Sequence, residues 1–311
     1  MTKEQYLKNL SVPTGPVDVV LDTDAYNEID DQFAISYLLL KAHRFRVRGI
    51  CAAPFFNAKA ASPLDGMEKS YEEILRLLPL TGRGDLGDRV LRGSGEYLPD
   101  EKTPVKSEAA AFMAELSRQY DPEHPLYIIA IGAITNVASA LLMEPEMKQR
   151  CVIVWLGGHA AHMPKGGDEF NMRQDVAAAR VVFGCGVPVV QLPCRGVVDR
   201  FHTTRYELEH WLLGKNPLCD YLCDCTVRHM QEKVDRELWS KPLWDVTAVA
   251  WLLNEGGRFM QSKLVSAPIP EYDLTYSFDE TRHPIRYVYW IDRDALYEDL
   301  FAALVGKDED L

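Results

Sequence analysis

Residues 17–31, Val-Asp-Val-Val-Leu-Asp-Thr-Asp-Ala-Tyr-Asn-Glu-Ile-Asp-Asp, constrain the fold more than any other stretch of this chain. Val17 to Leu21 is a short apolar run of the kind that forms a buried strand. It ends in Asp22 and Asp24. Asn27 and Glu28 follow in a loop, and Asp30 and Asp31 open a segment, Gln32 to Lys41, that reads as a helix. Five carboxylates thus fall within ten residues at a strand-to-helix turn. Crowded together they repel one another unless a cation sits among them or some stay protonated. All-oxygen donors suit a hard cation, Ca²⁺ or Mg²⁺, and the strand ends of an α/β protein are where ligands bind. The alternative is an acidic loop with an Asp capping the helix.

The rest of the chain repeats the strand–helix alternation. Strands are expected at 45–53, 89–92, 126–131, 151–156, 187–192 and 285–291. Helices are expected at 66–78, 107–120, 176–183 (capped by Asp175), through most of 204–253, and at 294–304. The continuous apolar runs at 126–131 and 151–156 mark central parallel strands. The fold class is therefore α/β, an open, mostly parallel central sheet with helices on both faces, Rossmann-like. With 311 residues, 47% hydrophobic, a single domain over 1–311 is expected.

A net charge of −12 argues against a nucleic-acid polymer as partner, though not against nucleosides. No apolar run is long enough to span a bilayer, and the first ten residues lack the apolar core of a signal peptide, so a cytoplasmic protein is expected. Seven scattered cysteines suggest reduced thiols. Cys219, Cys223, Cys225 and His229 have zinc-like spacing. A helix over 217–236 would put the first two and the last two on nearly opposite faces, which favours helix cysteines over a zinc site. Gly93-Ser94-Gly95 lacks the Lys-Ser/Thr of a phosphate loop and reads as a turn.

Several polar clusters follow strands, so their loops can converge on one sheet edge: Asn57, Thr135-Asn136 and Glu169-Phe170-Asn171. Trp244-Asp245 opens the apolar run Val246 to Leu253, with Asp245 either a helix cap or a further site residue.

The N-terminal stretch resembles the nucleoside hydrolases of the inosine-uridine-preferring type, whose first strand ends in Asp-x-Asp-Pro-Gly-x-Asp-Asp. Asp22, Asp24, Asp30 and Asp31 match the four aspartates, and Ala25–Ile29 stand where that family usually has three residues. The resemblance recurs in order along residues 17–250. Residues 130–136 resemble its Gly-Pro-Leu-Thr-Asn segment and 155–158 its Met-Gly-Gly. Glu169-Phe170-Asn171 with Asp175 resembles its Glu-Phe-Asn and following Asp, and residues 242–245 its Pro-x-His-Asp.

The resemblance implies the nucleoside hydrolase fold and Ca²⁺ held by Asp24, Asp31, Asp245 and the backbone carbonyl of Ile131. It implies a bound water with Asp24 as its general base, sugar hydroxyls bound by Asp30, Asn57, Glu169 and Asn171, and Asp22 as support from behind. It also implies a homodimer or homotetramer. Trp244 replaces the His thought to protonate the leaving base. The purine-preferring branch has Trp-Asp here, its indole stacking on the base, which makes purine nucleosides the expected substrates. His159 and His162 are the remaining candidates for a leaving-group acid, each with a solvated surface His as its alternative. Cleaving an N-glycosidic bond develops positive charge on the ribose, and a ring of carboxylates and amide oxygens stabilises it. Two other readings stand beside this one. One is a non-catalytic nucleoside- or ribose-binding protein that keeps the metal. The other is a phosphatase of the haloacid-dehalogenase type, whose Asp-x-Asp wants Thr or Val where Tyr26 stands.

Overall fold

The computed structural model describes residues 1–307. In chain order its helices and strands are α1 (Lys3–Asn9), β1 (Val17–Thr23), α2 (Asp30–Leu40), β2 (Phe45–Ala52), α3 (Pro63–Leu80), β3 (Val90–Arg92), α4 (Glu108–Ser117), β4 (Leu126–Ala130), α5 (Thr135–Met143), β5 (Cys151–Leu156), α6 (Phe170–Gln174) and α7 (Val176–Gly184). Then come β6 (Val189–Leu192), β7 (His202–Thr204), α8 (Arg205–Trp211), α9 (Pro217–Lys233), β8 (Ser240–Pro242), α10 (Val246–Trp251), β9 (Met260–Ser266), β10 (Ile269–Pro270), β11 (Tyr276–Ser277), β12 (Pro284–Ile291) and α11 (Arg293–Leu304).

Eight strands form one sheet in the order β3-β2-β1-β4-β5-β6-β12-β9. Its neighbours run parallel except for the edge pair β12–β9. Parallel neighbours need a crossover as long as a helix, which the alternating pattern supplies. The strand order reverses between β1 and β4, and such a switch point opens a crevice at the carboxyl ends of the strands. Asp22 faces Ala130 across this point, and the Ile131 N–H donates to the Asp22 carbonyl at 2.8 Å. The backbone ladder itself therefore sets Asp22, Asp24 and Ile131 beside one another.

Each face of the sheet carries a core. Val19 and Leu21 of β1 belong to one and Val20 to the other, and Ile129 and Val154 alternate likewise with Ile128 and Trp155. Strands buried on both faces read as unbroken apolar runs for this reason. Helix α2 is buried from Asp30 to Leu39 and packs against α10, α11 and α3. A helix apolar all round belongs inside a protein. No helix among the described residues is long and apolar enough to cross a membrane.

The structure departs from the sequence expectations in several places, among them helix α1, the short pair β10–β11 and the end of α9 at Lys233. Helix α3 starts earlier, because Ser62 caps it at 3.1 Å from the Asp65 N–H and Pro63 begins its first turn. Residues 204–253 are less helical than expected, since β8 runs antiparallel to β7 and the Leu243 N–H bonds the Phe201 carbonyl. The apolar pattern does not flag β9, an edge strand in which only Met260 is buried.

Candidate active site

The acidic residues stand where three segments meet: the end of β1, the first turn of α2, and the chain entering α10. Neither capping alternative is realised. Ile29, not an aspartate, holds the cap position of α2 and makes no side-chain cap bond. Asp245 precedes α10 in a helical conformation and makes none either. Both sets of carboxylates are thus left for the crevice. They line a cavity of ≈ 410 Å³ together with Asn57, Ile131, Glu169, Asn171 and Trp244.

Asp30, Asp31 and Asp245 each present a ligand atom within 4.8 Å of the others, and all three are buried. Asp24 lines the same cavity outside this close trio, and its Oδ2 is buried without a hydrogen-bond partner. Burial, then the charges of Asp31, Asp30 and Glu169, push the Asp24 carboxyl well above its ordinary value. Burial and the Asp30 charge raise Asp31 to about 7 against the hydrogen bonds it accepts from Thr23 and Asp245. Asp245 is likewise raised by burial, then by Asp30, Asp31 and Asp24. Carboxylates crowded in this way are favoured in their charged form by a cation among them, and hard oxygen donors in such numbers fit a divalent one.

Asp22 lies behind the cavity wall, not in it. Its Oδ1 accepts from Asn136 Nδ2 at 2.8 Å, its Oδ2 has no partner, and burial, against that one bond, raises it to about 7. Asn136 is wholly committed to structure. Its Nδ2 also bonds the Ala52 carbonyl and its Oδ1 accepts from the Ser94 N–H at 2.8 Å, so Gly93-Ser94-Gly95 is a turn stapled to the sheet. Thr135 bonds Asp175, which caps α7 through the Ala178 N–H.

Glu169 caps α6, accepting from the Asn171, Met172 and Gly158 N–H groups at 2.9, 3.0 and 2.9 Å. Asn171 Nδ2 bridges the Leu156 and Ile131 carbonyls at 3.1 and 3.3 Å, tying the ends of β4 and β5. Asn57 reaches the cavity but donates to Asn27 Oδ1 at 2.7 Å, a residue of the lengthened loop. Trp244 is half-buried, packs against the core and lines the cavity.

The two histidines separate. The chain leaves β5 through Gly157 and Gly158, the latter at φ +78°, where a Cβ would strike the Tyr276 hydroxyl. This turn puts His159 on the cavity, and its Nδ1 accepts from the Arg195 N–H at 3.3 Å. Burial and the Arg195 charge hold His159 below its ordinary value, which favours the neutral ring, and the Arg195 bond to Nδ1 places the proton of that ring on Nε2. His162 lines a different cavity, beside Tyr276 and Tyr287. The cysteines of α9 bond separate carbonyls: Cys219 bonds Leu304, Cys223 bonds Leu208 and Cys225 bonds Leu222.

Sequence reasoning missed Lys241. This lysine is 5% exposed, and its Nζ bridges Glu28 Oε2 at 2.5 Å and Asp30 Oδ1 at 3.2 Å. Glu28 also takes Lys233 at 2.6 Å. Burial would raise Glu28, but the Lys241 and Lys233 charges outweigh it and hold the carboxyl far below its usual range. The cations that compensate the lengthened β1–α2 loop therefore come from α9 and β8. Nothing in the sequence around Lys241 signals this role, because its partners Glu28 and Asp30 lie more than 200 residues away.

Comparison with known proteins bears on this cavity. Solved structures show the same fold. A purine-preferring ribonucleoside hydrolase from Gardnerella vaginalis superposes with a TM-score of 0.75 at 18% identity, over 94% of this chain and 100% of that one. A plant nucleoside hydrolase gives 0.74 at 20% identity, over 94% and 99%. In sequence, the pyrimidine-specific ribonucleoside hydrolase RihA of Citrobacter koseri is 28% identical over 231 residues, 65% of this chain and 73% of that enzyme. Residues 19–298 match the model of the inosine-uridine preferring nucleoside hydrolases. With a match over nearly its whole length, the chain belongs to the inosine-uridine preferring nucleoside hydrolase family, enzymes that hydrolyse the N-glycosidic bond of nucleosides.

Proposed function

We propose that this chain, acting as a single domain, is a calcium-dependent ribonucleoside hydrolase that leans towards purine nucleosides. One observation carries the reading: Asp24 Oδ2 is buried without a partner beside three carboxylates within 4.8 Å of one another. Asp24, Asp31, Asp245 and the Ile131 carbonyl would hold the calcium ion. Calcium held there would supply positive charge that orients sugar hydroxyls and favours ionisation of water.

Asp30, Asn57, Glu169 and Asn171 bind sugar hydroxyls, and Asp22 braces the loop from behind. Asp24 accepts one proton from the attacking water as the water oxygen bonds C1′. The C1′–N bond breaks, its electron pair leaves with the base, and the base nitrogen takes up a proton in balance. His159, which lines the cavity, would hydrogen-bond the departing base. The carboxylates stabilise the positive charge that grows on the ribose.

The purine lean rests on Trp244, a cavity-lining indole on which a large heterocycle would stack. The name of the G. vaginalis neighbour agrees with it, and the pyrimidine-specific name of the RihA relatives points the other way. The homodimer or homotetramer is part of the proposal too, and light scattering tests it.

The test is a panel of purine and pyrimidine ribonucleosides with their 2′-deoxy counterparts, assayed for free base with Ca²⁺ and with chelator. Release that depends on calcium and is fastest for purines supports the reading. The deoxy compounds should be poorer by about 10⁴-fold or more, because a missing hydroxyl strands buried polar groups. Unchanged release under chelation sinks the calcium claim, and faster pyrimidine cleavage sinks the purine claim.

A further inference from the structure

The cavity wall carries two opposite sets of charges. Its floor is acidic and buried, with Asp24, Asp30, Asp31, Asp245 and Glu169 all 5% exposed or less. Its rim carries three exposed cations from three separate elements: Arg173 on α6, Lys233 at the end of α9, and Arg195 in the loop after β6. These cations are weakly compensated. Arg173 meets Asp168 at 3.3 Å, with both side chains nearly half exposed, a pairing that water and salt screen. Lys233 shares Glu28 with the buried Lys241. Arg195 has no carboxylate partner among the described residues.

Such a rim is out of character for a chain of net charge −12. A plain nucleoside carries no charge and offers these cations nothing. An acidic floor alone would repel an anionic ligand, so an anionic ligand needs cations at the entrance. Guanidinium groups match phosphate oxygens in geometry and charge. Arg173 is held in place by its own neighbour, with Cζ 5.4 Å from the Phe170 ring centre.

We infer that the preferred substrate is a phosphorylated ribonucleoside, with its ribose on the acidic floor and its phosphoryl group held at the rim by Arg195 with Arg173 and Lys233. This rests on the hydrolase reading above. With the 2′- and 3′-hydroxyls engaged at the floor, the substituent hangs from C5′, which makes a nucleoside 5′-phosphate the simplest probe. Truncating Arg195 leaves its backbone bond to His159 intact, because the N–H and not the guanidinium makes that bond.

The experiment measures kcat/KM for adenosine and uridine and for their 5′-monophosphates at saturating calcium, in wild type and in Arg195→Ala. Ribose and ribose 5-phosphate are titrated calorimetrically alongside. The expected result is a preference for the monophosphates of about tenfold or more, the size of one charge-assisted hydrogen bond. That ratio should collapse in Arg195→Ala and shrink with added salt. A wild-type enzyme that cleaves the plain nucleosides as fast or faster overturns the proposal, as does a ratio that Arg195→Ala leaves unchanged. If none of the four compounds is cleaved, the hydrolase reading fails by itself. The titrations still decide the rim: tighter ribose 5-phosphate supports it, and equal affinities overturn it.

Discussion

Two regions of this protein bury carboxylates, and they do so in opposite ways. Asp299 of α11 is 6% exposed, yet it meets Lys41 at 2.9 Å, Arg258 at 3.0 Å and the Tyr37 hydroxyl. Burial alone would raise it, but the hydrogen bonds from Tyr37 and Lys41, with the charges behind them, hold it below its ordinary value. At the strand ends Asp22 and Asp24 each keep an unpartnered oxygen, and burial raises both. The Asp299 carboxylate is supplied with cations by the chain. Asp22, behind the cavity wall, and Asp24, on it, are not. Lys241 shows the border between the two, since it compensates Glu28 and Asp30 and reaches no further.

The comparison can be sharpened by substitution. Asp24→Asn should lower turnover by about 10²–10⁴-fold, the usual worth of a general base, with no loss of stability in calcium-free protein. Base release and urea unfolding measure the two halves. Asp299→Ala should do the reverse, costing about 3–5 kcal/mol of stability because it breaks a buried ion pair. A neutral result in denaturant would break the distinction. Calcium at about 100 times its dissociation constant should stabilise wild type by about 2.7 kcal/mol. Differential scanning calorimetry reads this shift, and it should fall sharply in Asp31→Asn.

The pH slopes should also oppose. The folded value of Asp22, about 7, lies above its ordinary 3.8, so the folded state binds more protons between those limits. Calcium-free protein therefore gains stability as pH falls from 7 towards 4, by up to about 1.4 kcal/mol per pH unit for each such group. Asp299 is depressed, so its contribution is present above the ordinary value and is lost as pH falls through its folded value. Asp22→Asn should reduce the first slope by the share of one group, since Asp24, Asp31 and Asp245 are raised too, and leave the second, as measured by urea midpoints across pH. The smallest effect belongs to Lys233→Ala. That cation is 48% exposed, and its removal should cost less than about 1 kcal/mol in chemical denaturation.

Much of this architecture is legible in the amino-acid sequence. The parallel strands stand out as apolar runs because two cores cover them, as at Ile128 and Ile129. Asp22, Asp24, Asp30 and Asp31 form a visible cluster, being close in sequence and too crowded to be mere decoration. Asn136 reads as a member of the site yet is a brace, since nothing in Thr135-Asn136 says that Asp22, Ser94 and Ala52 claim its amide. His159 and His162 are equivalent candidates in the sequence, and the turn at Gly157-Gly158 sends them to different cavities. Lys241 and Arg195 carry no local signal.

Periodicity, composition and motif order determined the α/β class, the strand that leads to the aspartates and the family of the chain, because those depend on residues a few positions apart. Tertiary structure alone decided which polar groups spend their hydrogen bonds on the fold and which are left unpartnered. That outcome depends on partners far away in the chain: Lys241 lies 211 residues from Asp30 and Asn136 lies 114 from Asp22. Burial is a property of the assembled sheet and not of the segment, so the charge that Asp24 lacks appears only once the sheet has closed around it.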